Sequence, residues 1–219
     1  MASLYSFVSG PLLWLAFLIF AFGSVFKLSN IFILINKKER FIYSYFSLKY
    51  SLRSIFYWSV PFMTTNWRLN PVLTIVTFIF HISLIISPLF LMSHVMLFSE
   101  AFGLSWVTLP DCVADIMTLS VIAGSVYFFV RRIVCREVRY VTSLSDFIII
   151  VIVAAPFLTG FLAYHQFFNY QVMMTLHAFS GAVLIVTIPF TRLSHMLLAP
   201  FTRAYTGSEF GAIRHAKDW

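Results

Sequence analysis

The chain has 219 residues, of which 60% are hydrophobic, 19% aromatic and only 11% charged, with a mean hydropathy of +0.90. Soluble domains carry about 25% charged residues, so the composition excludes an ordinary soluble domain and points to a lipid bilayer. The net charge of +7 does not indicate nucleic acid, because the basic residues sit in short segments between apolar runs.

A helix needs about 20 mainly apolar residues to cross a bilayer. Five such runs are predicted, which makes the fold an all-α membrane protein with one integral-membrane domain. The first covers about 7–35. No Lys or Arg precedes its apolar run, so it reads as a retained span rather than a cleavable leader, with Lys27 close enough to one end to snorkel. The segment NKKERFIYSYFSLKYSLRSIFYWSVPFMTTNWR follows, basic and aromatic, and suits a helix lying in the membrane interface. The second span covers about 71–98 and the third about 113–134. RRIVCREVR comes next, and a capping-type Ser143–Asp146 stretch precedes the fourth span at about 147–167. The fifth, at about 172–198, is predicted as one helix kinked at Pro189 and ended by Pro200, with 199–219 as a tail.

All fifteen Lys and Arg fall on one side of this arrangement or at its edge. The opposite loops carry Glu100 and Asp111, with Asp115 just inside the third span. The positive-inside rule then puts the N-terminus outside and the C-terminus in the cytoplasm of a multi-pass inner-membrane protein. Cys112 and Cys135 come at opposite ends of one span, too far apart for a disulfide and too few for an iron–sulfur cluster, and no C-x-x-C-H occurs. No internal repeat supports an inverted-repeat transporter.

Four histidines lie within the apolar spans. His81 and His94 lie in the second span, His177 and His195 in the fifth. On a continuous helix, eighteen residues make about five full turns and about 27 Å, so His177 and His195 share one face near opposite surfaces. Antiparallel packing of the two spans sets His94 opposite His177 and His81 opposite His195. Two facing imidazoles can ligate one haem iron, and neutral imidazole avoids burying a charge. The thirteen residues from His81 to His94 miss a whole number of turns by about 140°. Pro88 between them can disturb the winding, and Met92 is the alternative fourth ligand. Gly181, one turn after His177, lets a flat ring approach the backbone or serves small-residue helix packing. Arg192 can pair with a haem propionate or act as a positive-inside anchor. Two other readings use the same residues: a histidine-lined proton or ion transporter, for which Ser180, Thr187 and Thr191 are a thin relay, and a scaffold in which histidines only hydrogen-bond across helices. No nucleophile motif, Walker loop or metalloprotease motif occurs.

HAFSGAVLIVTIPFTRLSHMLLAP (177–200) resembles the last transmembrane helix of the gamma subunit of respiratory nitrate reductase, through its histidine spacing, its Pro-Phe-Thr-Arg-Leu-x-His core and the following Ala-Pro. The second span matches loosely through its two histidines, and the other three match in topology alone. Within this family the chain looks most like the cytochrome b subunits of the high-molecular-weight cytochrome complex and related redox complexes of sulfate-reducing bacteria. The resemblance implies two haem b groups, the outer held by His94 and His177 and the inner by His81 and His195. It further implies other membrane redox subunits as neighbours, a cytoplasmic iron–sulfur protein on the basic loops and tail, and menaquinone or an outer multihaem cytochrome c at the outer haem. The family's quinol-assisting lysine has no counterpart, since no lysine falls on the outer side. His165, Tyr164, Tyr170, Glu100, Asp111 and Asp115 are the outer groups available for protons.

Overall fold

A computed structural model describes residues 2–219 and is all-helical, with no strand among the described residues. Five helices are long and apolar enough to cross a bilayer: Leu4–Lys38, Pro71–Phe90, Asp111–Val134, Leu144–Tyr164 and Tyr170–Thr187. Large apolar side chains such as Phe22, Val72, Ile79, Ile116 and Val151 are left exposed along them. A continuous surface of this kind is tenable against lipid and not against water. The chain is a multi-pass membrane protein.

In chain order the helices are α1 (Ala2–Phe7), α2 (Leu13–Lys38), α3 (Ile42–Tyr45), α4 (Leu48–Ser59), α5 (Thr65–Leu69), α6 (Pro71–Phe90), α7 (Met92–Phe102), α8 (Asp111–Val134), α9 (Arg136–Tyr140), α10 (Leu144–Tyr164), α11 (Tyr170–Thr187) and α12 (His195–Ser208). A π-helical turn over Val8–Leu12, with Pro11 inside it, joins α1 to α2. Proline has no N–H to donate, so the ladder shifts register there rather than breaking. The described residues fall into two compact units, 2–13 with Val76–Leu184, and Trp14–Ile75 with Ile185–Trp219.

In the first unit α8 and α10 pack closely. Ser143 caps α10 as the sequence suggested: the Asp146 carboxylate accepts from its N–H at 2.9 Å and from its hydroxyl at 3.0 Å. Asp146 is buried and has Arg132 of α8 at 3.7 Å, so the cap also ties the two helices together. Phe80 of α6 fills the hollow at Gly124 of α8, where a Cβ would lie 2.7 Å from its ring. On α9, the helix's own amide and the Cys135 thiol hold the Glu137 carboxyl below its ordinary range.

The predicted second span is two helices. Leu91 is extended (ψ 131°), so α6 stops at Phe90 and α7 restarts at Met92. The break releases three carbonyls, and each is taken up. Pro88 O accepts from His94 Nδ1 at 2.8 Å, Leu89 O from Trp106 Nε1 at 2.8 Å, and Phe90 O from the Leu109 amide at 2.8 Å. An unpaired carbonyl in hydrocarbon costs several kcal/mol, so this exchange of partners is what makes the break stable.

The fifth span is likewise shorter than predicted. α11 ends at Thr187, residues 188–190 form a turn, Arg192–Ser194 make one 3-10 turn, and α12 begins at His195. Pro189 ends the helix rather than kinking it, and Pro200 lies inside α12 rather than closing the span. The eighteen-residue spacing therefore does not set His177 and His195 on one face, because no single helix connects them.

In the second unit α12 lies along α4. Gly207 and Gly211 permit the contact: a Cβ at either would collide with Ser54 or Tyr50. Ser51 donates to Ala204 O at 2.8 Å, and the Ser47 amide donates to Ser208 Oγ at 2.7 Å. The last residues pack on α4. Ser54 donates to the Asp218 carboxylate, and Trp58 donates to the Asp218 carbonyl at 3.1 Å. Trp219 stacks on Tyr57 at 4.1 Å with the Arg53 guanidinium over its ring at 4.5 Å. α4 is the interfacial-type helix anticipated from composition, with Leu48, Leu52 and Phe56 exposed four residues apart.

Candidate functional site

His94 and His177 face each other in the first unit. Their ring centroids are 5.9 Å apart and their planes 20° from parallel. The helix break decides this pairing. On an unbroken helix His94 would point away from the His81 face, whereas the restart at Met92 turns it and gives its Nδ1 the carbonyl of Pro88. Met92, the alternative ligand, is exposed, and the ring opposite His177 is that of His94.

His177 is held from a second helix. Its Nδ1 donates to Pro156 O on α10 at 2.8 Å. Its ring rests in the hollow at Gly160, where a Cβ would lie 2.9 Å from Nδ1 and 3.0 Å from Cε1. Only a glycine leaves room for the imidazole. Ser180, donating to His177 O at 3.1 Å, meets Thr159 of α10 at 3.4 Å and fixes the same two helices one turn further on. The sequence reading did not single out Pro156 or Gly160. A proline followed four residues later by a glycine inside an apolar span was the available signal.

His81 belongs to the first unit and His195 to the second. His81 Nδ1 donates to Thr77 O at 2.8 Å, and His195 Nδ1 donates to Arg192 O at 2.8 Å. In all four candidate histidines Nδ1 faces a backbone carbonyl. A carbonyl oxygen can only accept, so Nδ1 carries the proton and, in the neutral ring, the lone pair is on Nε2. A metal-bound histidine uses this tautomer, with the other ring N–H donated to a carbonyl to orient the ring and raise its basicity.

His165 differs. Its Nε2 donates to Asp115 Oδ1 at 3.2 Å, clipping the end of α10 to the start of α8, with Tyr164 next to it. Gly181 has nothing within 4 Å of where a Cβ would be, so tight helix packing does not account for this glycine. Arg192 is exposed in the 3-10 turn before α12. Lys27 lines a cavity of about 390 Å³ in the second unit, with Gly23, Asn30 and Leu34 of α2 and the Pro189–Phe190 turn.

Among the described residues no three His, Cys, Asp or Glu side chains gather as a metal site. Histidines that come in pairs suit an iron whose other four bonds a porphyrin supplies, and not a bare ion needing three or four protein ligands. The two imidazoles of His94 and His177, with ring centres 5.9 Å apart, are the residues that would hold such a group in the first unit.

No family model matches the chain, and no solved structure matches it. A protein of Nitratidesulfovibrio vulgaris strain Hildenborough, described only as "Protein", is 36% identical over 218 residues, covering 96% of this chain and 95% of its own length.

Proposed function

The chain belongs to the family of that Nitratidesulfovibrio vulgaris protein, and we propose that it is a dihaem b-type cytochrome, an electron-carrying subunit of a membrane redox complex. The observation that carries this reading is the facing pair His94 and His177, each with its Nδ1–H given to a backbone carbonyl and its Nε2 lone pair left for iron. The resemblance assigns His81 and His195 to a second haem. The resemblance of residues 177–200 to the nitrate reductase gamma subunit points the same way.

When bound, haem supplies a reversible one-electron couple. The protein's part is to hold and tune it. The Pro88, Pro156, Thr77 and Arg192 carbonyls orient the imidazoles and would raise their basicity towards a bound group. The open space at Gly181 admits a flat ring, and the Arg192 fork suits a propionate. The apolar surround excludes water from the iron.

The side with Arg131, Arg132, Arg136 and Arg139, the 36–70 segment and α12 would face the cytoplasm, with the N-terminus outside the inner membrane. In this orientation electrons pass between menaquinone, or an outer multihaem cytochrome c, and a cytoplasmic iron–sulfur protein docked on the basic face. Neighbouring membrane redox subunits complete the complex.

A reduced-minus-oxidised optical spectrum of the purified protein, with haem counted per polypeptide, tests the reading. Two haems of b type are expected. His94→Ala or His177→Ala should remove one, and His81→Ala or His195→Ala the other. A colourless protein would end the proposal.

A further inference from the structure

No charged side chain occurs from Leu4 to Phe26, and Lys27 then interrupts the apolar run. That run makes about 35 Å of helix, slightly more than the hydrocarbon thickness of a bilayer. Lys27 therefore falls at the level of the lipid headgroups, and α2 continues beyond it to Lys38. Around Lys27 the helix surface is grooved. Gly23, Phe26, Lys27, Asn30, Ile31 and Leu34 recur at spacings of three and four, so they form one stripe about 16 Å long. The turn after α11 supplies the facing wall: a Cβ at Gly23 would lie 2.8 Å from the Phe190 ring and 2.9 Å from that of Pro189. The cavity between them measures about 390 Å³, roughly thirteen times the share of one water.

The lining is of two kinds. Phe26, Leu34 and Phe190 present exposed apolar surface. Lys27 and Asn30, one turn apart on the same face, contribute an ammonium and a carboxamide. The ammonium is uncompensated, for Lys27 has no ion-pair or hydrogen-bond partner among the described residues. The acidic residues of this unit are accounted for elsewhere. Glu209 takes Arg214, Asp218 accepts from Ser54 and Trp58, and Glu39 follows the end of α2, about 18 Å of rise from Lys27. All the Lys and Arg of the chain except Arg131, Arg132, Arg136 and Arg139 belong to the same unit, so its field also favours an anion. A lone ammonium in an apolar groove at headgroup depth suits an anion that carries hydrocarbon with it.

We propose that this groove binds an anionic glycerophospholipid, with its phosphate on the Lys27 ammonium and the Asn30 amide and an acyl chain running from Phe26 towards the hydrocarbon. In that direction α2 stays apolar and exposed, at Phe22 and Leu18. The site makes a choice that a lysine merely reaching for water does not. A zwitterionic lipid brings a cation that offsets its phosphate, so a net-negative lipid is preferred. Because the Pro189–Phe190 turn forms one wall, an occupied groove ties that turn to α2 and stabilises the folded chain by mass action.

Thermal unfolding of the full-length protein in dodecyl maltoside, titrated separately with dioctanoyl phosphatidylglycerol, dioctanoyl phosphatidylcholine and inorganic phosphate, tests this. In wild type phosphatidylglycerol should raise the midpoint saturably, at concentrations roughly tenfold below those phosphatidylcholine needs, and inorganic phosphate should leave it unmoved. Lys27→Gln removes the charge and keeps a donor; it should weaken phosphatidylglycerol about tenfold and abolish the preference between the lipids. Lys27→Arg should retain both. Asn30→Leu should also weaken the anionic lipid, which covers the case where Lys27→Gln does not fold. Lys37→Gln, on α2 but outside the groove, should respond as wild type does. Equal response of wild type to the two lipids would overturn the proposal, as would a preference unchanged in every groove variant that folds. A full response to inorganic phosphate alone would overturn it in favour of a free-anion site, and an equal loss in Lys37→Gln in favour of general surface charge.

Discussion

Gly160 shows how one missing side chain can place a functional group. The imidazole of His177 occupies the space its Cβ would take, and the Pro156 carbonyl one turn earlier fixes the ring's rotation. Gly160→Ala should push the ring off that carbonyl at about 1–3 kcal/mol, the usual magnitude of overpacking. On the proposed dihaem reading, the expected result is a protein that assembles but loses, or shifts spectrally, one of two haem signals in a low-temperature difference spectrum. Tyr205 offers a test away from the spans. Burial, with a hydrogen bond to Tyr45, pushes its phenol up to about 12. Between pH about 10, where an unfolded tyrosine titrates, and that value, the folded chain keeps a proton that the unfolded chain loses. Stability of the second unit should therefore fall as pH rises through this window. Tyr205→Phe should flatten that slope in alkaline thermal unfolding.

Among the helices, the break between α6 and α7 matters most for the site. It frees the carbonyls of Pro88, Leu89 and Phe90 and gives them to a histidine, a tryptophan and a loop amide. Trp106 thus supports the site without touching it. Trp106→Phe keeps the ring's bulk and removes the donor to Leu89 O, which should cost about 1–3 kcal/mol. On the proposed reading, the haem assigned to His94 and His177 should be released first in thermal unfolding followed by absorbance. The α4–α12 pair depends on close backbone approach, so Gly207→Ala, which brings a Cβ into Ser54, should unseat the C-terminal residues. Faster proteolysis after Arg203 or Arg214 would show it.

The molecule as a whole carries its own topology probe. Cys112 and Cys135 are free thiols at opposite ends of α8, separated by about 35 Å of helix. With the N-terminus outside, a membrane-impermeant maleimide added to intact spheroplasts should label Cys112 and spare Cys135 until the membrane is opened. The reverse pattern would invert the proposed direction of the whole chain.

Composition and apolar run length were enough to determine an all-α chain with five spanning helices, because bilayer thickness and the need to satisfy every backbone polar group leave few other solutions. The Ser143–Asp146 cap and the amphipathic α4 were legible for a similar reason, since both are local patterns. Helix continuity was not legible. Pro88 and Pro189 are compatible with a kink or a stop, and the outcome depends on whether distant donors such as Trp106 and Leu109 arrive to take the freed carbonyls. The seat of His177 at Gly160, its partner carbonyl on Pro156 and the packing of α4 on α12 are likewise settled by residues far apart in the chain. Only the tertiary structure brings those residues within hydrogen-bonding reach.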